Sequence, residues 1–114
     1  MKGNIKPCLI LAVPQHTPSN LHAVLVLSDA ISLRWSFAEH DPDNMFYYSF
    51  KVLYRPTNHN AERVLTVEGH NKRSCFLSGL RPKTAYQLRV MAFSAEGDGQ
   101  ASLPVTVATL DGGK

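Results

Sequence analysis

A chain of 114 residues is one domain's worth of protein, long enough to bury a core without disulfides or metal. With 44% hydrophobic and 18% charged residues it is globular in composition, which excludes a disordered chain. The net charge of +3 is too mild to mark a nucleic-acid binder, and the basic residues are scattered with no aromatic stacking platform beside them.

In chain order, the stretch MKGNIKPCLILAV comes first. Its lysines precede a short apolar run, Cys8 to Val13, in the manner of a signal peptide. That run is shorter than the ~7–15 residues of a true apolar region, and Pro14, Gln15 and His16 stand where a small-residue cleavage site would be. It is far too short to cross a bilayer. Residues 1–16 therefore read as an extension or linker, 17–110 as the domain, and 111–114 as a linker or tail. No N-x-Ser/Thr sequon occurs, so N-glycosylation is not expected.

From residue 21 onward the apolar pattern has period two. LHAVLVL (21–27) alternates loosely. AISLRWSF (30–37) puts Ile31, Leu33 and Trp35 on one face and Ser32, Arg34 and Ser36 on the other. YSFKVLY (48–54) turns Tyr48, Phe50, Val52 and Tyr54 inward and Lys51 outward, with Arg55 next on the outward side. RVLTV (63–67), SCFLS (74–78) and PVTVAT (104–109) are shorter β-rich pieces. The sixth segment decides the class. A helix over 86–93 would need Arg89 on its apolar face, whereas strict alternation sets Tyr86, Leu88, Val90 and Ala92 against Gln87, Arg89 and Met91. Pro82 before it and Gly97 and Gly99 after it mark the ends. Seven short strands separated by turn-rich stretches, with no helix, predict an all-β antiparallel sandwich. In that architecture a tyrosine near the start of the sixth strand turns its hydroxyl back onto the preceding corner, so Tyr86, with Leu80 and Pro82 upstream, is expected to be structural.

The set Pro18, Leu21, Trp35, FKVLYR (50–55), the Leu80-x-Pro-x-Thr-x-Tyr-x-x-x-Val-x-Ala run ending at Ala92, and Gly97, Gly99, Ser102 and Pro104 closely resembles the fibronectin type III domain over residues ~17–110. The resemblance implies that the first, second and fifth strands form one sheet, and that the third, fourth, sixth and seventh form the other. It makes the sandwich immunoglobulin-like and Trp35 the central core residue, with Leu33, Val52, Leu80, Tyr86, Leu88 and Val90 around it. Losing an aromatic of that size would cost about 3–5 kcal/mol. It also implies termini at opposite ends of the sandwich, as suits modules strung end to end.

No catalytic chemistry stands out, so an enzyme is not expected, nor a cofactor or metal. The five histidines (His16, His22, His40, His59, His70) lack ligand spacing with one another or with cysteine and read as solvated loop residues. No nucleophile elbow, phosphate loop or His-Glu-x-x-His motif occurs. The family fold gathers Glu39, Asp41, Asp43, Glu96 and Asp98 at one end, but without a calcium-loop spacing, and solvated carboxylates are the preferred reading. Arg-Gly-Asp and Trp-Ser-x-Trp-Ser are both missing. Cys8 and Cys75 are too few for a disulfide scaffold and match no zinc pattern; two free thiols are preferred over a bridge, and Cys75 falls inward on the fifth strand.

Two partner surfaces are expected. The neighbouring third and sixth strands turn Lys51, Leu53, Arg55, Gln87, Arg89 and Met91 outward, a basic face with two apolar contacts that suits a protein ligand or an acidic polysaccharide, or serves solubility alone. At the loop end, Phe46, Tyr47, Lys72, Arg73 and Phe93 combine aromatics with charge, although Phe46 could simply cap the core. The expected role is a non-catalytic interaction or spacer module in the extracellular part of a multidomain cell-adhesion or guidance receptor of the immunoglobulin superfamily, with a neogenin-like receptor as the guess at the parent. An intracellular cytoskeletal or muscle scaffold, or an accessory ectodomain of a receptor phosphatase or kinase, is the alternative. Protein ligands or neighbouring domains are the expected partners, without nucleic acid or membrane insertion by this domain.

Overall fold

The computed structural model describes residues 16–38 and 48–112. Its elements are β1 (Ser19–Val26), β2 (Ala30–Ser36), β3 (Ser49–Pro56), β4 (Arg63–Val67), β5 (Ser74–Ser78), β6 (Ala85–Ser94), β7 (Gly97–Asp98) and β8 (Val105–Ala108). One sheet runs β1-β2-β5; the other runs β4-β3-β6-β7, with β8 also paired to β6. All pairings are antiparallel. The fold is the two-sheet sandwich that the alternation implied. The difference is β7, a two-residue strand inside the stretch read as a turn, where Phe93 pairs with Asp98 and Ser94 with Gly97. A strand this short has no alternation to detect, and only the hairpin closure of β6 creates it.

The inward faces are Leu21 on β1, Ile31, Leu33 and Trp35 on β2, Phe50 and Val52 on β3, Leu77 on β5, and Tyr86, Leu88, Val90 and Ala92 on β6, with Leu80 from the β5–β6 corner and Tyr48 just before β3. Ile31, Leu33, Phe50, Val52, Leu88, Val90 and Ala92 are completely buried. The loose alternation of β1 has a cause. Its register against β2 shifts between Ala23 and Leu25, and Val24 and Leu25 both come to the surface before Val26 turns inward again. Such a bulge adds a residue to one strand and resets its faces.

Tyr86 does what its position predicted. Its hydroxyl accepts the Arg81 backbone N–H at 2.8 Å, pinning the β5–β6 corner. Leu80 N–H donates to Asp29 O at 2.9 Å and Lys83 N–H to Leu110 O at 2.8 Å, which stitches the β1–β2 turn, this corner and the segment after β8 together at one end. The start of β1 lies at the other end, where Ser19 pairs with Ser36. The chain thus enters and leaves the sandwich at opposite ends.

Candidate interaction surfaces

The register puts the residues of the expected basic face on one surface. Lys51 pairs with Met91, Leu53 with Arg89 and Arg55 with Gln87 across β3 and β6. Their state differs from a free cationic face. Lys51 Nζ lies 2.9 Å from Asp98 Oδ1, which β7 delivers across β6, and 4.7 Å from the centroid of the Phe93 ring. Arg89 is held 2.7 Å from Glu62, which stands just before β4. Arg55 donates to Gln87 at 3.0 Å and to the His59 carbonyl at 2.9 Å, bracing the β3–β4 turn. Exposed pairs of this kind add little stability, on the order of 0–1 kcal/mol, but a polyanion must displace the carboxylates before it meets the cations. Leu53, expected as an accessible apolar contact, is only 7% exposed. It sits between Val64 and Arg89 at the same level of the sheet, and side chains on adjacent strands cover it. Met91 is half-buried. Val64, which sequence reasoning had not singled out, is the more open apolar residue nearby at 53% exposure.

The loop end is built differently. Ser49, buried at the start of β3, accepts the Gly69 N–H at 3.1 Å and so ties the β4–β5 loop to the end where β6 finishes. That brings Lys72, Arg73 and Phe93 to one end, as expected. Phe46 and Tyr47, like Cys8, Glu39, His40, Asp41 and Asp43, lie outside the described residues. Arg73 is turned inward. It donates to the His70 carbonyl at 2.8 Å and the Lys72 carbonyl at 2.7 Å, and its guanidinium lies over Phe37 and Phe50 at 5.5 and 5.3 Å. Beneath it, Phe37 meets Tyr48 and Phe50 at 5.2 Å each, and Trp35 meets Phe50 at 5.5 Å. This aromatic cluster closes the core, with Arg73 as its lid. Lys72 alone of the described loop-end cations is exposed.

Cys75 is a free thiol, half-buried opposite Leu33, and desolvation by burial pushes its pKa up to about 11. Among the described residues no cluster of His, Cys, Asp or Glu could hold a metal ion, and no helix is long and apolar enough to cross a membrane.

The sequence pattern of the family described as "Fibronectin type III domain" matches residues 16–108. The chain belongs to the fibronectin type III family. This fibronectin type III domain is 40% identical over 95 residues to chicken protein sidekick-1, a stretch covering 82% of this chain and 4% of that protein. It is 28% identical over 102 residues to human cell adhesion molecule DSCAM, covering 85% of this chain and 5% of that one. The domain therefore spans only a small fraction of the relatives it matches. Its fold superposes on the solution structure of the third fibronectin III domain of human KIAA0343 protein with a TM-score of 0.80 at 21% identity, covering 100% of this chain and 97% of the other.

Proposed function

We propose that this fibronectin type III domain is a non-catalytic interaction or spacer module, comprising residues 17–110, in the extracellular part of a multidomain cell-adhesion or guidance receptor. The observation that carries the reading is the relationship to sidekick-1 and to the cell adhesion molecule DSCAM. These relatives, rather than a neogenin-like receptor, stand behind it. Entry and exit of the chain at opposite ends supports stringing in series. The ion-paired state of Lys51 and Arg89 favours a protein ligand or a neighbouring domain over an acidic polysaccharide at the β3–β6 face.

Antibodies raised against the folded domain provide the test. Staining of intact, non-permeabilised cells that express the native protein is the expected result. Staining only after permeabilisation would overturn the extracellular reading and leave the intracellular scaffold. That second reading draws on a structure of domains from titin, at TM-score 0.67 and 27% identity over 87% of this chain.

A further inference from the structure

The cations of the domain divide by what holds them. Lys51 and Arg89 are paired with carboxylates, and Arg55 and Arg73 are turned onto carbonyl oxygens. Arg63 and Arg81 are different. Among the described residues neither side chain has a hydrogen bond or ion pair, and both line the same cavity of about 130 Å3, at the end of the sandwich opposite the start of β1. His59, Tyr54, Leu80 and Tyr86 are also in its wall, and no acidic residue lines it among the described residues.

The cavity is built by groups already held in place. Arg63 opens β4 directly across from Tyr54. The turn carrying His59 is braced by the Arg55 guanidinium on the His59 carbonyl. Arg81 is fixed through its backbone on both sides, since its N–H donates to the Tyr86 hydroxyl and its carbonyl accepts from the Thr109 hydroxyl. Its side chain is left outside these bonds. Leu80 and Tyr86, 6% and 4% exposed, give the cavity an apolar floor. Two arginines lining one cavity whose floor is apolar, with no carboxylate among the described lining residues, suit an anion. A planar fork matches a carboxylate in two-point fashion. The volume admits one side chain and not a run of sugar residues. Little loop ordering remains to be lost on binding.

We infer that this cavity receives a carboxylate side chain from an acidic segment of a protein partner. The inference rests on the interaction-module reading for the class of partner. Its assay uses isolated protein and is blind to cellular location, so the two readings fail separately. The 114-residue protein would be titrated with an acetylated hexaglutamate peptide while the arginine side-chain Nε–Hε resonances are followed by NMR. The Arg63 and Arg81 resonances should move together. The Arg63→Gln/Arg81→Gln variant, with an unchanged thermal midpoint, should bind about tenfold more weakly. A Lys72→Gln/Lys83→Gln variant, with the same loss of charge placed elsewhere, should bind as the wild type does. Still resonances, equal weakening in both variants, or binding of a heparin tetrasaccharide or sulfate where the peptide fails would each overturn the proposal.

Discussion

The Tyr86 hydroxyl holds the Arg81 N–H, and the energetics of that bond set a sharp expectation. Tyr86→Phe keeps the ring in the core and leaves the part-buried Arg81 N–H without its acceptor, a change that should cost about 1–3 kcal/mol. Urea unfolding should show a lower midpoint with an unchanged slope, because the same surface is exposed. Trp35 works by area alone. Its Nε1 is buried with no hydrogen-bond partner among the described residues, so size and shape are what the ring supplies. Among the described residues Cys75 carries a resolved pH dependence. Its folded pKa of about 11 lies above the ordinary 9.0, so the folded state keeps the thiol proton longer than the unfolded chain does. Stability from this group is complete below pH ~9 and is lost as pH rises toward ~11. Denaturation midpoints measured across that window should fall in the wild type and fall less in Cys75→Ala. Tyr86 and the inward side of Cys75 were legible in the sequence because both follow from alternation within one strand. The inward turn of Arg73 was not, since the rings it covers come from β3 and the residue after β2.

At the level of elements, turns and strand edges decide what alternation does not. Gly79 leaves β5 with φ of 73°, and a Cβ built there would meet nothing within 4 Å. Gly79→Ala therefore meets no clash and should cost only the left-handed backbone penalty, roughly 1 kcal/mol, with Gly79→Asn costing less. Thermal unfolding of the two variants checks this, and a much larger loss would mean that the corner carries more than a turn. The β1 bulge and β7 are the two places where pattern reading fell short. A bulge interrupts the period-two repeat within β1, and a two-residue strand has no repeat at all. β7 matters beyond its length, because it brings Asp98 to Lys51 and so converts part of a cationic face into an ion pair.

For the whole molecule, the placement of charge is the functional variable. With Lys51 and Arg89 held by Asp98 and Glu62, the wild-type domain should leave immobilised heparin below about 0.15 M salt, and Lys51→Glu/Arg55→Glu/Arg89→Glu should change that little. Releasing the two cations with Glu62→Gln/Asp98→Asn should raise the salt needed for elution. Retention of the wild type above that salt, lost in the triple variant, would instead make the β3–β6 face a polyanion site. The cavity lined by Arg63 and Arg81 had no sequence signal. The two residues lie on separate elements, and only the packing of the β5–β6 corner against β3 and β4 brings them together.

By itself, the sequence determined the class of the fold, the inward sets of β2 and β6 and the role of Tyr86. Each depends on a repeat or a motif a few residues long, and burial enforces it locally. Which cations remain free was decided only by the tertiary structure. An ion pair such as Lys51 with Asp98 joins residues 47 positions apart in the chain, and the loss of solvent around Leu53 and Arg73 comes from neighbouring elements. Charge and exposure are properties of the assembled surface, so they appear only when the sheets have closed.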